Sequence, residues 1–174
     1  MSDLPAGIDL PRHRDFEGRA LGQWLRRGFL ALLAIFIVAA LFNAFGQRTT
    51  TSEASGAAGS LTVTAPERIR GGLYYQARFR IHAVEPIGAP VLQLDRGWYE
   101  ETTVNTLEPE PAETTTDKDH VKLRFPPLAP GRTLVVYLNL QANPTNVGSH
   151  DADVTLLDAD RPIATVHRTQ VDFP

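Results

Sequence analysis

The sequence predicts an all-β protein, an antiparallel β-sandwich of seven to eight strands, preceded by one transmembrane α-helix. The helix is predicted because residues 28–46 form an uncharged apolar run. The strands are predicted because, from residue 60 onward, apolar side chains recur at every second position, the period of a half-buried strand. Pro, Gly, Asn and Asp separate these segments and no helical pattern interrupts them, which favours two packed antiparallel sheets.

The apolar run has the length of a membrane span. Gly28 to Gly46 is nineteen residues, which as a helix reach roughly 28 Å, close to the thickness of a bilayer's hydrocarbon core. A helix in a soluble core would carry a polar face, and a cleaved signal would have a shorter run with a small-x-small site beside it. The run therefore predicts an uncleaved transmembrane helix over residues 28–46, with the lipid bilayer as its first partner.

The distribution of arginine predicts the orientation. Arg48 is the only basic residue in the twenty positions after the span. Five precede it: Arg12, Arg14, Arg19, Arg26 and Arg27. Because basic residues stay on the cytoplasmic side, residues 1–27 are predicted to be a cytoplasmic tail and the C-terminal domain to be extracytoplasmic. The predicted location is the cell membrane, with a single pass.

Two short segments flank the span. Apolar residues between Arg14 and Arg27 lie on one helical face, which indicates either a short amphipathic helix at the interface or an extension of the span. Residues 47–59 are rich in Thr, Ser, Ala and Gly and are predicted to be a flexible linker. The extracytoplasmic β-sandwich domain is then residues 60–174.

Alternation assigns a buried and an exposed face to the predicted strands. In the clearest strand the predicted inward set is Leu73, Tyr75, Ala77, Phe79, Ile81 and Ala83, and the outward set is Tyr74, Gln76, Arg78, Arg80 and His82. The same period predicts strands near residues 120–125 and 133–141. The chain has no cysteine, so this exported domain must be stabilised by its core and not by disulfides.

The segment from Phe125 to Gln141 resembles bacterial extracytoplasmic immunoglobulin-like or fibronectin-III-like domains. In many of these a Leu-x-Pro-Gly turn, here Leu128 to Gly131, leads into a long alternating strand. The resemblance covers about residues 60–174 and concerns architecture. It implies a module that spaces, docks or adheres, but a fold of this kind does not name a function.

Charge and motifs argue against two functional classes. Residues 28–174 hold 12 basic and 16 acidic groups, a net charge of −4, so there is no basic surface for nucleic acid. Ser149, His150 and Asp151 are consecutive, but adjacent residues of an extended segment point in alternating directions and cannot form a triad with one another. We therefore predict no nucleic-acid partner, no enzymatic activity and no cofactor.

Four aspartates suggest an alternative function, a surface-displayed ligand- or calcium-binding β-sandwich. Asp151, Asp153, Asp158 and Asp160 flank one predicted strand and carry hard oxygen ligands. They lack the glycine and closing glutamate of an EF-hand, and aspartate is also an ordinary turn residue. The histidines are scattered and have no zinc-finger spacing. The aspartates are therefore weak metal candidates.

Two predicted loops are candidates for partner binding. Residues 100–120 hold seven acidic residues, Pro109 and Pro111, which predicts a long loop that either is a solvated connection or meets a basic partner. Trp98 and Tyr99 precede it as a docking anchor or as core residues. A second loop, residues 141–151, offers Asn143 and Asn146, although turn formation also explains its composition.

The span itself carries candidate contact residues. Ala40 and Ala44 are four residues apart and Asn43 adds an amide, so another helix can approach closely and bond to it. That helix would belong to an integral membrane or envelope protein, or to a second copy of this chain. The predicted function is an accessory or interaction subunit of a membrane or cell-envelope complex.

Overall fold

The computed structural model describes residues 20–42 and 47–173, and it divides the chain into two units, Met1–Phe45 and Gly46–Pro174. The first unit contains α1, a helix over Ala20–Leu41. Its stretch Leu21–Leu41 is long and apolar enough to cross a bilayer, and none of it is buried within the structure. Both a membrane anchor and a signal sequence fit this helix.

The helix begins earlier than the predicted span. α1 runs without a break from Ala20 into the apolar run, which fits both an interfacial helix that continues into the span and an extension of the span itself. The rest of the predicted amphipathic segment and the end of the span, residues 43–46, lie outside the described residues. Asn43 and Ala44 belong to that part of the chain.

The described part of the second unit contains thirteen strands. Their bounds are β1 Thr49–Ser55, β2 Gly59–Pro66, β3 Arg68–Arg70, β4 Tyr74–Ala83, β5 Pro90–Asp95, β6 Thr102–Glu108, β7 Glu113–Thr116, β8 His120–Arg124, β9 Thr133–Ala142, β10 Gly148–Asp151, β11 Val154–Asp158, β12 Arg161–Val166 and β13 Thr169–Phe173. A single 3₁₀ turn, Arg96–Trp98, follows β5.

The strands form two five-stranded sheets and a small third one. Sheet 1 has the order β1-β2-β4-β9-β6, sheet 2 has β12-β11-β5-β8-β7, and sheet 3 has β10-β13-β3. Every pairing is antiparallel except that of β13 with β3. This confirms the all-β antiparallel sandwich preceded by an apolar helix, although the short strands raise the count above the predicted seven to eight.

The core lies between the two larger sheets and follows the predicted alternation. Sheet 1 contributes Phe79 and Val136, and sheet 2 contributes Leu92 and Leu156, all four with no exposed surface. The predicted inward set of β4 is buried from Tyr75 to Ala83. Leu73 is the exception: it is 46% exposed, because it precedes β4 in the turn that follows Gly72.

The predicted flexible linker is wrong where β1 lies. Thr49–Ser55 pairs with β2 over its whole length, from Thr49 opposite Pro66 to Ser55 opposite Ser60. This edge strand has no buried residue. Its sequence therefore shows no alternation of apolar and polar side chains from which a strand could be predicted. The β-domain therefore includes residues well before position 60.

The predicted long loop over residues 100–120 is also wrong. It contains β6 at the edge of sheet 1 and β7 at the edge of sheet 2. Pro109 and Pro111 lie between the two strands, where no ladder hydrogen bond is required of them. Both strands are exposed sheet edges rich in threonine. Because few of their residues are buried, they show no alternation of apolar and polar side chains that would mark them as strands.

Candidate interaction face

Trp98 is not available to a partner. Its side chain is 1% exposed, its Nε1 donates to the carbonyl of Ala152 at 2.9 Å, and its ring meets Phe79 edge to face at 5.2 Å between centroids. Tyr99 is half-buried and packs against the same core. The prediction of a docking anchor at Trp98 is therefore wrong, because the 3₁₀ turn directs this ring inward.

The second candidate loop is organised by its own turns. Asn143 is exposed, its Oδ1 accepts from the amide of Thr145 at 3.3 Å, and its carbonyl accepts from the amide of Asn146 at 3.0 Å. Asn146 is only 4% exposed, so its side chain is not presented to a partner. Of the helix candidates, Ala40 is exposed on α1, whereas Asn43 and Ala44 lie outside the described residues.

The four aspartates do not form one metal site. Asp153 accepts from His167 Nδ1 at 2.6 Å and from the amide of Arg168 at 2.9 Å, while Asp158 accepts from the amide of Ala89 at 2.7 Å. The strand β11 separates the two pairs, which places them roughly 16 Å apart at about 3.3 Å per residue. The described residues contain no group of three His, Cys, Asp or Glu arranged to hold a metal ion. The four weak metal candidates therefore do not converge on one ion, as the alternative calcium-binding function would require.

Ser149, His150 and Asp151 lie in β10 with alternating exposure. Ser149 and Asp151 point to solvent, whereas His150 turns toward Asp172, with 3.9 Å between Nε2 and Oδ2. The three side chains do not converge. The strand period accounts for this arrangement, as the sequence argument expected.

Asp172 is a buried carboxylate with few donors. It is 2% exposed, and Gln170 Nε2 donates to its two oxygens at 3.1 and 3.2 Å. Burial raises the pKa of the Asp172 carboxyl above its ordinary value of 3.8, and the Gln170 bond and the His150 charge offset this only in part. Because folding raises this pKa, the folded state favours the protonated carboxyl. The resulting contribution to the free energy of unfolding is present below the ordinary pKa of 3.8 and is lost as the pH rises through the higher pKa of the folded state.

Asp172→Asn is therefore expected to raise the melting temperature at pH 7, and the gain should shrink as the pH is lowered toward 4. Thermal melts of the full chain in mild detergent across that range measure it. Asp160→Asn, at an exposed turn, is the matched control and should give no pH-dependent difference. A loss of stability in Asp172→Asn at pH 7 would contradict this account.

The outer face of sheet 1 brings together exposed aromatic and basic side chains. Arg78 on the central strand β4 lies directly opposite Tyr137 of β9, and Tyr74 lies two rows away opposite Gln141. Tyr74 is 68% exposed and Tyr137 is 38% exposed. We call Tyr74, Gln76, Arg78, Arg80 and Tyr137 the interaction face.

A row of amide hydrogen bonds orders the centre of this face. Gln76 Nε2 donates to Asn139 Oδ1 at 3.0 Å, and Asn139 Nδ2 donates to Thr106 Oγ1 at 2.6 Å. The row crosses three strands beside a groove of about 440 Å³ lined by Tyr74, Arg78 and Tyr137 among others. These side chains are held by the sheet before any partner arrives, which lowers the entropy cost of binding.

The charges of the face follow a simple pattern. Arg78 and Arg80 project from the central strand, whereas Glu53 and Glu108 belong to the two edge strands and point to the same side. A partner group that meets the centre is favoured when it is acidic or aromatic, since a guanidinium binds carboxylates and stacks on rings.

The sequence placed these side chains on the exposed side of their strand but did not identify them as a site. The sequence feature that could have indicated the site is the presence of two tyrosines and two arginines at solvent-facing positions of long strands. Alternation alone does not reveal that Tyr137 lies beside Arg78, because this depends on the pairing of strands about sixty residues apart.

Comparison with known proteins adds little to this geometry. No protein-family model matches the sequence, and no curated protein matches it. Among solved structures, the chain is similar to a non-cellulosomal cohesin from the hyperthermophilic archaeon Archaeoglobus fulgidus, with 16% sequence identity over 66% of this chain and 91% of that chain and a TM-score of 0.44. A likeness at this level says nothing about what the chain binds, and the finer resemblance to immunoglobulin-like or fibronectin-III-like domains stays a prediction.

Proposed function

We propose that this chain is a single-pass protein of the cell membrane and acts as an accessory or interaction subunit of a membrane or cell-envelope complex. Its N-terminus lies in the cytoplasm and its sandwich lies outside. The stretch Leu21–Leu41, long and apolar enough to cross a bilayer, supports the anchor. The excess of arginine before this stretch supports the orientation.

The observation that carries the binding role is the exposed grouping of Tyr74, Arg78 and Tyr137 on sheet 1. Tyrosine and arginine are the residues most enriched at the energetic centres of protein interfaces. The flanking amide row supplies hydrogen-bond donors and acceptors that are already ordered. The interaction face therefore suits a folded protein partner with acidic and aromatic groups.

The anchor adds a second contact to this binding mode. Ala40 is exposed on α1, and together with Asn43 and Ala44 it is proposed to meet a helix of the partner or of a second copy of the chain. Two contacts on one chain reinforce each other, because the first makes the second effectively intramolecular. A modest affinity of the interaction face is then sufficient.

Photo-crosslinking in the native membrane tests this proposal. A photoreactive amino acid at Tyr137 in the full chain is expected to yield one discrete crosslinked membrane or envelope protein. Adding Arg78→Glu should abolish that product, since it reverses the charge beside the probe. Arg132→Glu, at an exposed position outside the face, is the matched control and should leave the product intact.

Two outcomes would contradict the binding role. One is the absence of any discrete product from Tyr137. The other is an equal product from a probe at Thr155, which lies on β11 of sheet 2. Either result would mean that the outer face of sheet 1 has no special contact in the membrane.

The orientation is testable because the chain has no cysteine of its own. Val84 is 58% exposed on the sandwich, so Val84→Cys creates a single accessible thiol. A membrane-impermeant maleimide is expected to label it in intact cells. Labelling only after the membrane is permeabilised would place the sandwich in the cytoplasm and overturn the proposed location.

A further inference from the structure

One end of the sandwich exposes large apolar side chains that its own core does not use. Leu73 is 46% exposed, Val147 57% and Phe173 45%. We call these three residues the apolar corner.

The chain segments that carry these three residues lie beside one another. The amide of Gly71 donates to the carbonyl of Phe173 at 2.7 Å, and the amide of Gly72 donates to Ala142 at 2.9 Å. Gly71 also lies so close to Pro144 that a Cβ on it would be 3.0 Å from the Pro144 Cα. The turn before β4, the loop before β10 and the end of β13 therefore form one continuous surface.

The first strand of the domain enters at this same end. Thr49 begins β1 and lies opposite Pro66, the last residue of β2. From there β3 runs beside β13, with Arg70 opposite Phe173. Val84, in contrast, follows the far end of β4, ten residues from Tyr74, or roughly 33 Å along a strand.

The covalent chain limits how far this end can be from the anchor. Seven residues, 42–48, separate the end of α1 from the start of β1, and seven residues span at most about 25 Å. With α1 across a bilayer, this short tether allows the end of the sandwich at which β1 begins to reach the bilayer surface. This step rests on the proposed function, which makes α1 the anchor.

The composition of the corner fits a lipid surface. Its aliphatic and phenyl groups can enter the boundary between headgroups and acyl chains. Arg68 and Arg70 are exposed on the adjacent β3 and can pair with lipid phosphates. We propose that the apolar corner rests on the surface of the bilayer that α1 spans, with phosphate headgroups as the partners of Arg68 and Arg70.

Lipid quenching of single labels tests this arrangement in the full chain. Four single-cysteine variants, Val147→Cys, Phe173→Cys, Val84→Cys and Leu33→Cys, carry a fluorophore and are reconstituted in phosphatidylcholine–phosphatidylglycerol vesicles containing spin-labelled lipids. The labels at Leu33, Val147 and Phe173 are expected to lose fluorescence, and the label at Val84 is expected to keep it. Adding Arg70→Glu should restore fluorescence at Val147, whereas Arg132→Glu should not.

The outcomes separate this inference from the proposed function. Quenching at Leu33 together with equal fluorescence at Val147, Phe173 and Val84 would overturn the lipid contact and leave the anchor intact. Quenching at none of the four would overturn both. A label at Val147 that is shielded from water yet not quenched by lipid would also overturn the lipid contact, since a second protein surface would then cover the corner.

Discussion

Trp98→Ala is expected to destabilise the sandwich by about 3–5 kcal/mol, the range for removing a large aromatic side chain from a packed core. The indole is among the largest fully buried side chains and lies edge to face against Phe79. Its loss leaves a cavity between the sheets and also leaves the Ala152 carbonyl without the Nε1 donor. Both losses act in the same direction. Chemical denaturation of the full chain in detergent, followed by circular dichroism of the strands, measures the change.

Trp98→Phe separates the two contributions. It keeps an aromatic ring against Phe79 but removes the hydrogen bond to Ala152, so a clearly smaller loss is expected. Tyr74→Ala, at an exposed aromatic position, is the control and should change stability by no more than about 0.5 kcal/mol. Equal stability of Trp98→Ala and the native chain would contradict the burial of this ring. Trp98 would then again be a candidate for partner binding.

The sequence predicted the central strands well because burial imposes a period on them. β4 and β9 lie in the interior of sheet 1, where one face must be dry, and their alternation is visible in the residues. β1, β6 and β7 lie at sheet edges and carry mostly polar residues. Nothing in such a segment distinguishes a strand from a loop until its partner strand is known.

The sequence contains a local signal for the inward turn of Trp98. Gly97 precedes it, and a Cβ at this position would lie 2.2 Å from the Asp151 carbonyl. The glycine therefore allows the 3₁₀ turn to approach β10 closely, which brings the indole to Ala152. A glycine before a large aromatic indicates close packing as readily as it indicates a mobile loop.

The interaction face was harder to predict from the sequence than the fold, because it depends on how distant strands pair. Tyr74, Arg78 and Tyr137 were each assignable to an exposed side, yet their proximity depends on strand register. Asn143 is exposed and accepts a hydrogen bond within its turn, whereas Asn146 is buried, a difference that the local sequence does not reveal. Exposure follows from the strand period, but a site requires the pairing of distant segments.

Arg168→Met is expected to loosen β1, because Arg168 binds this strand to the body of the domain. Its guanidinium donates to Thr50 Oγ1 at 2.9 Å, to Ser52 Oγ at 3.1 Å and to the Ala65 carbonyl at 2.8 Å. The side chain is 6% exposed, and burial lowers the pKa of Arg168. None of the carboxylates in the described residues lies within salt-bridge distance of it. Hydroxyl and carbonyl oxygens accept its hydrogen bonds, and the charge of Glu67 offsets the effect of burial only in part.

Two effects of the substitution oppose each other. Methionine removes the cost of burying an unpaired guanidinium, which favours the variant. It also removes the donors to four oxygens, the hydroxyls of Thr50 and Ser52 and the carbonyls of Val63 and Ala65. An acceptor that stays buried without a donor costs about 1–3 kcal/mol. The first effect concerns the whole domain, whereas the second concerns β1. We therefore expect a small change in global stability together with about 5- to 150-fold faster amide exchange in β1, which is 1–3 kcal/mol converted at 1.4 kcal/mol per factor of ten.

Hydrogen exchange on the full chain in vesicles resolves this difference strand by strand. β4 and β9 should keep their native protection in Arg168→Met, and Arg168→Lys should fall between the two because an ammonium reaches fewer of the acceptors. Arg80→Met, at an exposed position of sheet 1, is the control and should leave β1 unchanged. Native protection of β1 in Arg168→Met would mean that backbone pairing with β2 is sufficient to hold it. Faster exchange would mean that one side chain, distant in the sequence, secures the first strand of the domain.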